Sequence, residues 1–197
     1  MNEARPEDAL ANVARELHRL GKRFALVGGL AVSVRGEVRT TRDVDLAVAV
    51  ADDAELEALV ADLAKAGYRA VATVEQEARK RLAVVRLASP FQFRVDLLGA
   101  SCGIESEIVA SATPVEFAGV GRVAVATAED LLAMKLLASR PGRARDSDDA
   151  RGLVQANPSL DLALVRSRLA LITNRGFARD QDLEAKLDAL LTELKSA

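Results

Sequence analysis

The chain has 197 residues and a formal net charge of -2, with half of its residues apolar and 28% charged. That suffices for one core, or one domain with a helical appendage, and it excludes coating nucleic acid by bulk charge, leaving only local basic patches. The single cysteine, Cys102, excludes an internal disulfide and a thiolate zinc site, and 3% aromatics without Trp excludes a base-stacking platform.

No apolar run approaches the roughly 20 residues that span a bilayer, so no membrane partner is expected. The stretch up to Leu20 carries acids and lacks the basic-then-apolar order of a secretory signal. A cytoplasmic protein follows as the expectation.

In chain order, Pro6 opens an amphipathic helix whose Leu10, Val13, Ala14, Leu17 and Leu20 recur at helical spacing before Gly21. Phe24 to Val27 reads as a buried strand, stopped by Gly28 and Gly29. Paired glycines let the backbone turn and approach a ligand closely, and a helix to about Arg35 would present free N–H groups and a positive dipole end to an anionic phosphate. Val44 to Val50 reads as a second strand. Asp52 and Glu55 then stand at the cap and third positions of a helix ending at Gly67. Tyr68 to Val74, Leu82 to Leu87 and Phe91 to Leu98 are further strands, and Val115–Phe117 with Val123–Val125 suggests a hairpin. From Thr127 the pattern is helical. Thr127 and Asp130 form a capping-box pair, Pro141–Gly142 breaks that helix, a second helix spans about Arg143 to Ala156, and amphipathic segments at Leu160–Leu171 and Gln181–Leu194 complete the chain.

Three acids stand out: Asp43 and Asp45 around Val44, and Asp96 in a second Val-Asp-Leu. Alternation along a strand points Asp43 and Asp45 the same way, roughly 7 Å apart at Cα. Carboxylates pressed together at strand centres repel unless neutralised. If the two strands are neighbours, the three share one face and could hold Mg²⁺; the competing arrangement pairs them with Arg39, Arg42 or Arg94.

The order Gly28-Gly29, thirteen residues, Asp43-Val44-Asp45 and a later strand acid resembles the nucleotidyltransferase superfamily related to DNA polymerase beta. Within it, the stretches Gly28–Leu46 and Leu131–Arg151 resemble the AbiEii abortive-infection toxins and their relatives. The resemblance implies an α+β fold, a small mixed sheet flanked by helices, with a nucleotidyltransferase-like core at residues 1–126 and a C-terminal helical region at 127–197. It implies that Gly28 and Gly29 bind the triphosphate, that Asp43 and Asp45 bind two Mg²⁺ ions with Mn²⁺ as a substitute, and that Asp96 joins them as a ligand and helps activate the acceptor hydroxyl. Many members have Ser after the first glycine; Gly29 leaves that phosphate contact to backbone N–H groups. Arg39 and Arg42 fall inside the signature and are expected to neutralise triphosphate oxygens.

In the helical region, Lys135 lies among Leu131, Leu132 and Ala138, so its ammonium needs an acid or a phosphate. Asp146 and Asp149 share the inward face of the following helix, and a Lys135 ion pair with either is as compatible with the pattern as a catalytic role. The family resemblance, a functional Lys followed by Arg-Asp-x-x-Asp, assigns Lys135 to the triphosphate with Asp146 in support and leaves Asp149 as the alternative. His18, Cys102 and the Arg79–Arg81 run read as structural or solvated. The expected activity is transfer of a nucleoside monophosphate from an NTP to an acceptor hydroxyl. The resemblance points to the 3′ end of tRNA and to a toxin with a cognate antitoxin. The alternatives are a small-molecule (antibiotic) or protein nucleotidyltransferase, or a silent NTP-binding partner in a toxin–antitoxin pair.

Overall fold

Alternation along two neighbouring strands organises the fold: Val44, Leu46, Val95 and Leu97 are fully buried on one side of them, and Asp43, Asp45 and Asp96 stand on the other. The computed structural model describes residues 5–196; residues 1–4, part of the stretch read as lacking a secretory signal, and residue 197 lie outside the described residues. In order they form α1 (Pro6–Arg19), β1 (Phe24–Val27), α2 (Gly28–Arg35), β2 (Asp43–Val48), α3 (Asp53–Lys65) and β3 (Arg69–Gln76). A 3-10 turn at Glu77–Arg79 leads to β4 (Arg81–Ala88), β5 (Arg94–Leu98), α4 (Glu105–Ser111), β6 (Thr113–Phe117) and β7 (Gly121–Val125). Four helices follow: α5 (Ala128–Ala138), α6 (Ala144–Ala156), α7 (Leu162–Asn174) and α8 (Leu183–Ser196). None of the helices among the described residues is long and apolar enough to cross a membrane.

The strands form one mixed sheet in the order β3-β4-β5-β2-β1-β7-β6. β2 and β5 are parallel, as are β1 and β7, and the remaining pairs are antiparallel. This is the α+β nucleotidyltransferase-like architecture expected from the sequence. A single apolar cluster runs from Leu10 and Leu17 of α1 through the sheet to Leu169 of α7 and Leu187 of α8.

Local chemistry accounts for most boundaries. Asp52 caps α3 by accepting from the Glu55 N–H at 2.9 Å, while Glu55 reaches back to the Ala51 N–H at 2.8 Å and pairs with Lys22. Two expectations need correction, and one helix was not foreseen. The strand read from Phe91 begins at Arg94, because Ser89 accepts from the Phe93 N–H and Gln92 adopts a left-handed φ of 63°, which makes residues 89–93 a turn. Helix α4 carried no periodicity signal because it has only seven residues; it is docked by Ile108 and by buried Glu105, which accepts from the N–H groups of Ser101, Cys102 and Gly103. The capping box at α5 is half formed: Thr127 accepts from the Asp130 N–H at 3.2 Å, but the Asp130 carboxylate turns away to Arg168 and Ser111.

Asp130 is fully buried, with Arg168 Nε 2.7 Å from Oδ1, so one ion pair ties α5 to α7. Arg168→Met should strand that carboxylate and lower stability by about 3 kcal/mol, read from urea unfolding midpoints. Asp130→Asn in the same background should recover part of the loss.

Candidate active site

The site begins where β1 ends. Gly28 opens α2 at φ +65°, and a Cβ there would lie 2.0 Å from Asp45 Oδ2. Only glycine meets both the backbone conformation and the carboxylate beside it. At Gly29 a Cβ would meet Thr41 Oγ1 at 2.8 Å and Arg39 Nη2 at 2.9 Å. These two side chains thus crowd the place where the superfamily's common serine would start.

Sheet register assembles the acids. Val27 lies opposite Asp45, and in the β2–β5 pair Asp45 stands beside Asp96 and Asp43 beside Arg94. Asp45 makes no ion pair among the described residues, and burial, then repulsion from Asp96 and Asp43, pushes its pKa from 3.8 up to about 6, against the pull of the Gly29 N–H and Lys135. Burial also raises Asp96, opposed by Arg94 and Arg86. Arg86 Nε lies 3.3 Å from Asp96 Oδ2, Arg94 Nε lies 3.5 Å from Oδ1, and Arg94 Nη2 donates to Asp43 Oδ2.

A ready-made three-acid metal centre is therefore not what the side chains form. Among the described residues no three His, Cys, Asp or Glu groups converge to hold an ion, because the Arg94 guanidinium draws Asp43 and Asp96 to itself. The donor set still fits a hard divalent cation: all three are carboxylates on one face, Asp45 lacks a cationic contact, and Asp96 Oδ1 is buried without a hydrogen bond.

The opposite wall comes from α5 and α6. Lys135 Nζ lies 2.9 Å from Asp146 Oδ1 and 2.8 Å from Asp149 Oδ2. Asp149 also receives Arg39, through Nη2 at 3.1 Å, with Nε 2.9 Å from Oδ1. Two cations and two carboxylates thus balance in a poorly hydrated cluster, Asp149 being its most buried member with 4% of its side chain exposed. Both acids face Lys135, so the ion-pair arrangement left open in the sequence is realised with both. Between the walls lies a cavity of about 530 Å³, bordered by Gly28, Gly29, Asp43, Asp45, Lys135 and Asp146 among others.

Asp96 and Asp149 stand just behind its surface. Arg42 is exposed and does not border it, whereas its neighbours Thr41 and Asp43 do. The sequence offered Arg94 as an ion-pair partner of the acids, and it pairs with Asp43 and Asp96; its place on the wall was missed, as were Thr41 and, at the α5–α6 turn, Arg143 and Arg145. Arg94 was accessible in principle, since it precedes Asp96 by two residues and so shares its face.

A glycine-opened helix beside paired strand carboxylates, on this sheet, defines a nucleotidyltransferase, an enzyme that moves a nucleoside monophosphate. The chain belongs to the AbiEii family: the family model described as "Nucleotidyl transferase AbiEii toxin, Type IV TA system" matches residues 10–196. Solved structures share the fold. The solution structure of the antibiotic-resistance factor ANT(2'')-Ia aligns with TM-score 0.55 at 18% identity, over 86% of this chain and 91% of that one. Its complex with adenylyl-2''-tobramycin gives 0.55 at 17% over 86% and 97%. A nucleotidyltransferase-like protein from Paracoccidioides brasiliensis gives 0.54 at 19% over 93% and 92%. No curated protein matches the chain in sequence.

The raised Asp45 carboxyl binds a proton more tightly folded than unfolded, so its contribution to stability is full below pH 3.8 and is lost as pH rises through about 6. In EDTA, Asp45→Asn should therefore melt higher than wild type at pH 7.5, by on the order of 2 kcal/mol, and alike at pH 4. Thermal melts at both pH values check this.

Proposed function

We propose that this enzyme transfers a nucleoside monophosphate from an NTP to a hydroxyl at the 3′ end of tRNA, with Mg²⁺ as its metal and Mn²⁺ as a substitute, and that it acts as a toxin restrained by a separate antitoxin. The observation that carries the reading is one cavity with Asp43 and Asp45 on its sheet side, Asp96 beside Asp45 just behind them, the Gly28–Gly29 turn at one end, and Lys135 and Arg39 on the other wall. In this reading residues 1–126 supply the acids and the glycine turn, and residues 127–197 supply the lysine.

The chain's own groups divide the work. The free N–H groups at the start of α2 cradle phosphate oxygens, which the absence of side chains at Gly28 and Gly29 allows. Lys135 and Arg39, held in line by Asp146 and Asp149, offset charge that builds on the leaving pyrophosphate. Asp43, Asp45 and Asp96 would hold the Mg²⁺, two ions, which would supply charge stabilisation to the phosphoryl transfer. Asp96, whose pKa burial has raised, accepts the acceptor's proton as the new O–P bond forms and the bond to pyrophosphate breaks.

The rim supports a polyanionic acceptor. Arg143 and Arg145 border the cavity, and they, Arg140 and Arg179 are exposed. Arg140, Arg145 and Arg179 make no ion pair among the described residues, and Arg179 is held below the usual arginine range by its packing and then by repulsion from Arg140 and Arg143. Such a ridge attracts a phosphate backbone and repels a protonated antibiotic.

Incubating the pure protein with total RNA and each labelled NTP should label a tRNA-sized band. Label confined to protein or to an added antibiotic would replace the tRNA reading, and no label with any NTP would sink it. Lys135→Ala should lower the labelling rate about 100-fold. The Asp43→Asn/Asp45→Asn pair should remove it with the far-UV circular dichroism unchanged.

A further inference from the structure

Among the described residues, Arg94 is the one cation that touches two of the three strand acids while also lining the cavity. Its place follows from register: it sits opposite Asp43 on the parallel neighbour and two residues before Asp96 on its own strand. Arg86 reaches the same Asp96 from β4 but takes no part in the cavity wall. The two arginines therefore differ in what can move them. Arg94 is 45% exposed and is held by contacts open to the cavity, a weak class of ion pair. The acid it covers is 8% exposed, and its Oδ1 has no hydrogen bond, so that oxygen has neither water nor an aligned donor while Arg94 stands 3.5 Å away.

We propose that Arg94 is a resident stand-in for the metal: its guanidinium neutralises Asp43 and Asp96 in the resting enzyme, and it leaves them for the triphosphate when the metal–nucleotide complex enters. This rests on the metal and triphosphate assignments above and adds to them the residue that keeps the acids from taking up free cation. A divalent ion outcompetes a guanidinium for two carboxylates because it carries twice the charge and binds their oxygens directly. Once displaced, the planar fork remains on the cavity wall, where phosphate oxygens are its natural partners. The same movement uncovers Asp96 Oδ1, so the proton acceptor is exposed only when substrate is present.

The test is equilibrium binding of Mn²⁺ alone, followed by electron paramagnetic resonance, and of a non-hydrolysable NTP analogue in saturating Mn²⁺, followed by calorimetry. Arg94→Gln should bind free Mn²⁺ roughly five- to tenfold more tightly than wild type and the analogue more weakly by a similar factor. Arg94→Lys, which keeps the charge without the fork, should fall between. Weaker Mn²⁺ binding in Arg94→Gln, or no change, overturns the inference and leaves Arg94 a structural ion pair. Tighter Mn²⁺ binding with unchanged analogue binding overturns the triphosphate half of it. Asp45→Asn separates this from the metal assignment itself: if that variant binds Mn²⁺ as wild type does, the ion sits elsewhere and both readings fall. Arg94 is half exposed at the cavity, and unchanged urea midpoints in its variants would show that the fold is intact.

Discussion

Everything in this structure answers to one electrostatic constraint: three carboxylates stand side by side on the central strands, where their charge is expensive without cations. Parallel pairing of β2 with β5 puts Asp45 against Asp96, and alternation adds Asp43 to the row. Arg94 and Arg86 offset two of the three. Asp45 has only the Gly29 N–H and the more distant charge of Lys135, and it protonates near pH 6 as a result. A site built this way holds affinity for a cation in reserve, because the ion relieves repulsion already present.

The second wall mirrors the first with the charges reversed. Lys135 and Arg39 are held by Asp146 and Asp149 in a cluster too buried for water to screen well. In the proposed function, a triphosphate with its metal satisfies both walls, presenting anionic oxygens to one and a cation to the other. In that reading the helical region takes part in the chemistry through Lys135, and its packing matters accordingly. Buried Asp130 ties α5 to α7 through Arg168, and Lys186 of α8 donates to the carbonyl of Leu136 and to that of Ser139 at the end of α5. These contacts fix the helix that carries Lys135.

Much of this was legible before any coordinates. The Gly-Gly stop after an apolar run, the two Val-Asp-Leu strands and the lysine among leucines are local patterns, and local patterns survive translation into structure because strand alternation and helical periodicity are set by backbone geometry. What was missed or misread was also local: α4 is too short to show a period and was not foreseen, and Phe91 belongs to a turn because Ser89 bonds across it. Arg42, expected on the triphosphate, is exposed and is not among the residues bordering the cavity, although its neighbours Thr41 and Asp43 are.

The sequence by itself determined the chemistry at hand: which residues are acidic, which glycines leave room, and that the acids of each strand point one way. What only the tertiary structure decided was who meets whom. Parallel β2–β5 register, rather than any motif, brings Asp96 to Asp45 and gives Arg94 two acids to bridge. Packing of α6 on α5 lets Asp146 and Asp149 share Lys135, and Asp149 reaches Arg39, 110 residues away in sequence. Such pairings depend on long-range strand order and helix packing, which no local pattern encodes. They turn the opening glycines and paired acids into one side of a cavity.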